Sequence, residues 1–93
     1  MKRLKNVTFS ELGRLPVDTV DENHIVIAGV EAIIGDTCLL IDTYNNVQTL
    51  ILVRIEDSGI DNNGKIYNLL FDNSDVEIPV INTIQCKVFG VYE

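Results

Sequence analysis

Several scarcities narrow this chain before any pattern is read. Alanine, the best helix former, occurs only twice in 93 residues, at Ala28 and Ala32, which argues against a helical fold. With one histidine, His24, a Ser-His-Asp or Cys-His arrangement would need that residue as base, and nothing near it supports the role. Cys38 and Cys86 lie far apart within apolar segments, so there is neither a C-x-x-C redox pair nor a zinc knuckle. Both are expected to be buried free thiols in a reducing compartment. Uninterrupted apolar runs, such as Leu39, Leu40, Ile41, stop after three or four residues, too short for a membrane-spanning helix. Lys2, Arg3 and Lys5 lead into the polar stretch Asn6 to Glu11 rather than into an apolar run, so no signal peptide is expected. These features predict a soluble, cytoplasmic, single domain over residues 1–93 with no metal and no cofactor.

What is present points to β structure. Twelve Ile and eleven Val are stiff, β-branched side chains suited to a pleated surface. Six extended segments are expected: Ile25 to Ala28, Thr37 to Asp42, Thr49 to Glu56, Lys65 to Phe71, Val76 to Val80 and Thr83 to Tyr92. Thr37 to Asp42 is apolar on both faces and reads as a central strand. Pro79 cannot donate to a ladder and reads as an edge or strand end. Tyr44, Asn45 and Asn46 form a turn, Asp57 to Gly64 a polar loop ending in Asn-Gly, and Asp72 to Asp75 a further turn. Gly29 and Gly35 bracket no phosphate-loop pattern and are read as turn residues. Residues 1–16 are read as a basic leader, with a short helix or turn at Ser10 to Leu15 capped by Ser10 and stopped by Pro16. The fold class is therefore mainly β: an antiparallel barrel or sandwich of about six strands with at most one short N-terminal helix.

The formal charge of -7 is unevenly spread. Lys2, Arg3, Lys5 and Arg14 against Glu11 make the first fourteen residues +3, while Arg54, Lys65 and Lys87 against thirteen acids make the remainder -10. Such an acidic body disfavours nucleic acid as a partner. Asp72, Asp75 and Glu77 cluster beside Asn73, but without the spacing of a calcium loop they read as a solvated turn.

Three strings resemble one family. GDTCLLID, Gly35 to Asp42, is similar to the "GD" strand of the LexA-like, S24-type domain that forms the C-terminal half of phage repressors and SOS regulators. GKIYNLLFDNSDVEIPV, Gly64 to Val80, resembles that family's strand, "DN-S" turn and following proline-bearing strand, and CKVFGVYE, Cys86 to Glu93, its closing strand. The resemblance covers roughly 60 residues in the right order. It implies a β-rich domain that associates with other copies or with repressors. It also implies a serine nucleophile and a lysine base, and both are missing. Gly29, Val30, Glu31, Ala32 stands where the serine turn would be, and Lys65 sits away from the lysine's place. The serines are Ser10, Ser58 and Ser74, none of them in that run. The resemblance implies a helix-turn-helix domain as well, and none is expected within this chain because it has no amphipathic helical stretch of sufficient length.

The expected role is thus non-enzymatic: a protein-interaction module, of phage or mobile-element type by the resemblance, that binds itself as a dimer or a repressor-type partner through sheet edges. Within the alternating segment Thr83 to Tyr92, Ile84, Cys86, Val88 and Gly90 share one face, and Gln85, Lys87, Phe89 and Val91 the other. The latter four are the candidate interface residues. The alternative is a small acidic inhibitor that mimics nucleic-acid charge and blocks a partner's basic site.

Overall fold

The computed structural model describes residues 2–72 and 76–93. Ten strands follow in chain order: β1 (Leu4–Phe9), β2 (Leu15–Val20), β3 (His24–Ile27), β4 (Val30–Ile33), β5 (Thr37–Ile41), β6 (Val47–Asp61), β7 (Gly64–Phe71), β8 (Glu77–Val80), β9 (Thr83–Ile84) and β10 (Val88–Tyr92). They form a large sheet, ordered β1-β10-β5-β6-β7-β8, and a small one, ordered β4-β3-β2-β9. All pairings are antiparallel. The mainly β single small domain expected from composition is what forms, as two sheets rather than a closed barrel, with no helix among the described residues.

One apolar core lies between the sheets. The large sheet contributes Cys38, Leu40, Leu52, Ile55, Leu69, Phe71, Val80, Phe89 and Val91, and the small sheet Leu15, Ile25, Ile27, Val30, Ala32 and Ile84. Their alternation with less buried neighbours is the period of a pleated strand. Turn chemistry explains the short connections. Ala28 and Gly29 both have positive φ, 48° and 85°, where Ile27 pairs with Val30, so two residues reverse the chain in the geometry that suits strand twist. Asn45, at φ 68°, turns β5 into β6 while the Asp42 carboxylate accepts the N–H groups of Tyr44 and Asn46. Thr37 to Ile41 is central, between β10 and β6, and Pro79 lies on the edge strand β8, both as the sequence suggested.

Three expectations differ from the structure. The segment 1–16 is not a separate leader: β1 pairs along β10, and Pro16 lies within β2 opposite Thr83. Of the helix or turn expected at Ser10 to Leu15 it is the turn that forms, with the Gly13 N–H on the Ser10 carbonyl and the Leu12 N–H on Ser10 Oγ. Gly13 then leaves helical space at φ 71°. The polar stretch Asp57 to Gly64 continues the β6–β7 ladder as far as the Asp61–Gly64 pair, which places the turn on Asn62 and Asn63, one residue before Asn-Gly. Polar residues extend a hairpin here because that end stands clear of the core, with Ile60 81% exposed. Finally, Thr83 to Tyr92 is two strands in different sheets, β9 and β10, and this crossing together with β1, β2 and β4 brings about six expected strands to ten. The turn expected at Asp72 to Asp75 lies, from Asn73 onward, outside the described residues.

Candidate interaction surface

The side of the large sheet turned away from the core follows from register. On β10, Phe89 and Val91 face the core, so Val88, Gly90 and Tyr92 face outward. Across β1, Phe9 pairs with Val88, Val7 with Gly90 and Leu4 with Tyr92. A bulge between Leu4 and Asn6 keeps Leu4 on the outer row with Val7 and Phe9. On the other flank, Val88 and Gly90 pair with Ile41 and Leu39, which pair in turn with Val47 and Thr49, and Thr37 pairs with Ile51. The outer face of β1, β10, β5 and the first half of β6 is therefore aliphatic and aromatic throughout, interrupted only by threonines and Gly90.

This face is not covered. Phe9 is 70% exposed, Val47 63%, Val7 52%, Leu4 40% and Ile51 38%, while Leu39, Ile41, Val88 and Tyr92 are half-buried beside them. Gly90 makes the close packing of its left flank feasible. A Cβ there would stand 2.9 Å from Leu4 Cδ1 and 3.1 Å from the Asn6 carbonyl oxygen, so any side chain would push β1 outward.

Charged side chains lie both around the patch and, through Lys2, on it. On the β1 side are Lys2, Arg3 and Lys5, which enter no ion pair among the described residues. Lys2 Nζ donates to Thr37 Oγ1 at 2.9 Å. On the opposite side a bulge at Val53 shifts the pleat, so Arg54 and Leu70 point outward, with Glu77 paired beside Leu70. Arg54 meets Glu56 at 2.9 Å. Arg3 and Lys5 thus lie along β1, whereas Arg54, Glu56 and Glu77 lie on the half of β6 that pairs with β7 and on β8, beyond the rows that β5 covers.

The candidate interface residues do not form a common surface. Phe89 and Val91 are core side chains, 1% and 3% exposed, and β10 has β1 on one side and β5 on the other, leaving no edge for a partner strand. Lys87 is half-buried and uses its backbone N–H on the Ile41 carbonyl. Only Gln85 is exposed. It lines an open groove of about 720 Å³ with Arg14, Glu77, Asn82 and Thr83. The residues on the exposed face, Leu4, Val7, Phe9, Val47 and Ile51, were not singled out from sequence; the signal was the two-sided apolar character of Thr37 to Asp42.

Elsewhere the polar side chains serve the fold. Cys38 and Cys86 are buried free thiols, as expected. Burial, with Asp36 nearby, pushes Cys38 up to about 12, and burial pushes Cys86 up to about 11 despite the Val88 N–H, so neither is a nucleophile at neutral pH. His24 Nδ1 meets Asp21, and its Nε2 lies 3.9 Å from Glu31. The Asn23 N–H, then His24, hold the Asp21 carboxyl below its ordinary range. Lys65 pairs with Asp57 at 2.8 Å and sits over the Tyr67 ring. Asp57, then Tyr67, raise the Lys65 pKa, so this lysine is held protonated and not poised as a base. Glu31 lies on β4 of the small sheet and Lys65 on β7 of the large one. Among the described residues no three His, Cys, Asp or Glu side chains gather as a metal site, and no helix is long and apolar enough to cross a membrane. The carboxylate cluster read at Asp72, Asp75 and Glu77 falls partly outside the described residues, and Asp72 accepts the Ile51 N–H at 3.1 Å.

A scan against protein-family models, a search of curated proteins and a search of solved structures each find no match to this chain.

Proposed function

We propose that this chain is a non-enzymatic protein-interaction module that works through the outer face of its large sheet. The observation carrying this reading is the uncovered apolar patch centred on Val7, Phe9, Val47 and Ile51. The aliphatic and aromatic area left open by those residues and Leu4 is on the order of 500 Å², at the upper end for a monomer's largest patch. The partner surface is the sheet's face and not its edges. β8 carries Pro79, β9 has two residues, β4 has four with the charged Glu31 among them, and β1 bears cations and a bulge, all features that discourage strand addition. The resemblance to S24-type repressor domains supports the same role, since association is what such a domain retains without its serine and lysine. Under that resemblance a repressor-type domain is one partner to test.

The acidic-inhibitor alternative draws less support. Seven aspartates, Asp18, Asp21, Asp36, Asp42, Asp57, Asp61 and Asp72, each accept a backbone N–H, mostly at turns. Local turn chemistry accounts for their positions without a cationic partner.

A photo-crosslinking residue placed at Val47, compared with one at Glu22 at the end of β2, tests the reading in cells of the native host. Adducts to protein from position 47 and not from position 22 are expected. Equal yields from both positions, or none from either, would remove the outer face as a working surface.

A further inference from the structure

We propose that Asn63 is a site of spontaneous covalent modification, at which the Gly64 backbone nitrogen attacks the asparagine side chain and water completes its conversion to aspartate and isoaspartate. The site lies at the end of the β6–β7 hairpin that stands clear of the core, and it is independent of the outer face. In the first step the Gly64 N–H gives its proton to hydroxide, the nitrogen bonds to Asn63 Cγ, and the side-chain nitrogen leaves as ammonia. The product is a cyclic imide. Water then opens either of its carbonyls. Opening at Cγ restores the main chain and leaves an aspartate side chain, whereas opening at the main-chain carbonyl routes the chain through Cβ as isoaspartate. Water and hydroxide are the only co-reactants.

The fold selects this asparagine among those on exposed turns. Asn23, Asn45 and Asn62 are exposed as well, but an aspartate carboxylate holds the N–H that follows each of them. Asp21 Oδ1 accepts the His24 N–H at 3.0 Å, Asp42 Oδ1 the Asn46 N–H at 3.0 Å, and Asp61 Oδ1 the Asn63 N–H at 2.7 Å. A carboxylate in that place opposes loss of the proton, because the nitrogen would become a second anion beside it. Among the described residues no side chain accepts the Gly64 N–H. Gly64 is the last rung of the β6–β7 ladder, opposite Asp61, at the end where a ladder opens first. It also sits at φ 120°, with nothing within 4 Å of where a Cβ would stand. Glycine is therefore the residue the turn favours, and it leaves the nitrogen unshielded.

The modification places a charge where the chain has a neutral amide. Asn63 lines the groove that also holds Arg14 and Asn82, and Asn82 Nδ2 donates to the Asn63 main-chain oxygen at 3.5 Å. In the isoaspartyl product that oxygen belongs to a free carboxylate, which accepts more strongly.

Peptide mapping by mass spectrometry tests the site on the full chain, incubated at mildly alkaline pH both in its native state and in urea. The native chain is expected to show amide-to-acid conversion at Asn63 ahead of Asn23, Asn45 and Asn62, and Asn63→Gln to lose it, because the longer side chain closes a larger ring. Asp61→Ala frees the Asn63 N–H and should raise conversion at Asn62 severalfold. Asp21→Ala should do the same for Asn23, and it keeps the test open should the first variant disturb the hairpin. Conversion of Asn63 in urea but not in the native chain overturns the proposal, since the fold would then hold the Gly64 N–H. Equal conversion at all four asparagines of the native chain overturns it too, as does an unchanged rate at Asn62 and Asn23 in the two aspartate variants.

Discussion

On the inner face of the large sheet Phe89, Val91, Cys38, Leu40 and Leu52 are all under 5% exposed, whereas on the outer face Phe9, Val47 and Val7 are 70%, 63% and 52% exposed. The side chains on the two faces are of the same kind. What separates them is that β2, β3, β4 and β9 lie over one face and no described element lies over the other. A strand apolar on both sides, as β5 is, ordinarily has a layer on each. The described residues supply one layer, and that asymmetry is the physical ground for the interaction role proposed above.

The sharpest way to break the comparison is to cut the same residue type on each face. Phe89→Ala should cost about 3–5 kcal/mol, the range for removing a core aromatic. Phe9→Ala, measured by urea denaturation at concentrations too low for association, should stay within about 0.5 kcal/mol of wild type. Comparable losses would mean that the outer face is packed within the monomer. A step smaller, Gly90→Val places a side chain against Leu4 and the Asn6 carbonyl, and overpacking of this kind costs about 1–3 kcal/mol. Hydrogen exchange should then rise at Val7 and Phe9 in β1 while Leu69 in β7 stays protected.

Alkaline pH sharpens the contrast through the buried thiols. Their folded pKa values, about 12 for Cys38 and about 11 for Cys86, exceed the ordinary 9.0. The unfolded chain releases those protons first, so their contribution is whole below pH 9 and is lost as pH climbs from 9 toward 12. Melting temperature should fall over that window, and by less in Cys38→Ala. The smallest effect is expected at the turns. Asn46 lowers the Asp42 pKa, and Lys65 with the Gly59 N–H lowers that of Asp57, from the ordinary 3.8. Depressed carboxylates contribute above that pH and lose their contribution as pH falls through the folded value. A shallow drop in melting temperature below pH 4 is expected, reduced in Asp42→Asn and unchanged in Phe9→Ala. A flat acid limb would mean that these turn contacts add nothing to stability.

Much of the fold was legible residue by residue. Gly29 and Tyr44-Asn45-Asn46 announce turns because glycine and asparagine tolerate positive φ, and Pro79 announces an edge because it has no N–H to donate; Ala28, read as the end of a strand, instead takes φ 48° in the turn. β1 was not legible: its sequence, Leu4 to Phe9, mixes charge and apolar residues as a mobile leader would, and its pairing with β10 joins opposite ends of the chain. The alternation of Thr83 to Tyr92 identified extended backbone, but alternation does not reveal that Gln85 to Lys87 carries the chain from one sheet to the other. Phe89 and Val91 consequently changed from candidate contacts to core. The exposed face was missed for a related reason: local pattern shows that both sides of β5 are apolar and cannot show which side the rest of the chain covers.

By itself, then, the sequence determined the strand-forming backbone, the turns at Gly29 and at Tyr44 to Asn46 and the burial of both thiols, because those depend on side-chain shape, backbone freedom and residue identity along the chain. The tertiary structure alone decided which apolar row became interior, which strands lie at sheet edges, and where the charged side chains fall around the uncovered row. Those are outcomes of long-range pairing, and burial belongs to whatever surface happens to meet another, not to the residue that carries it.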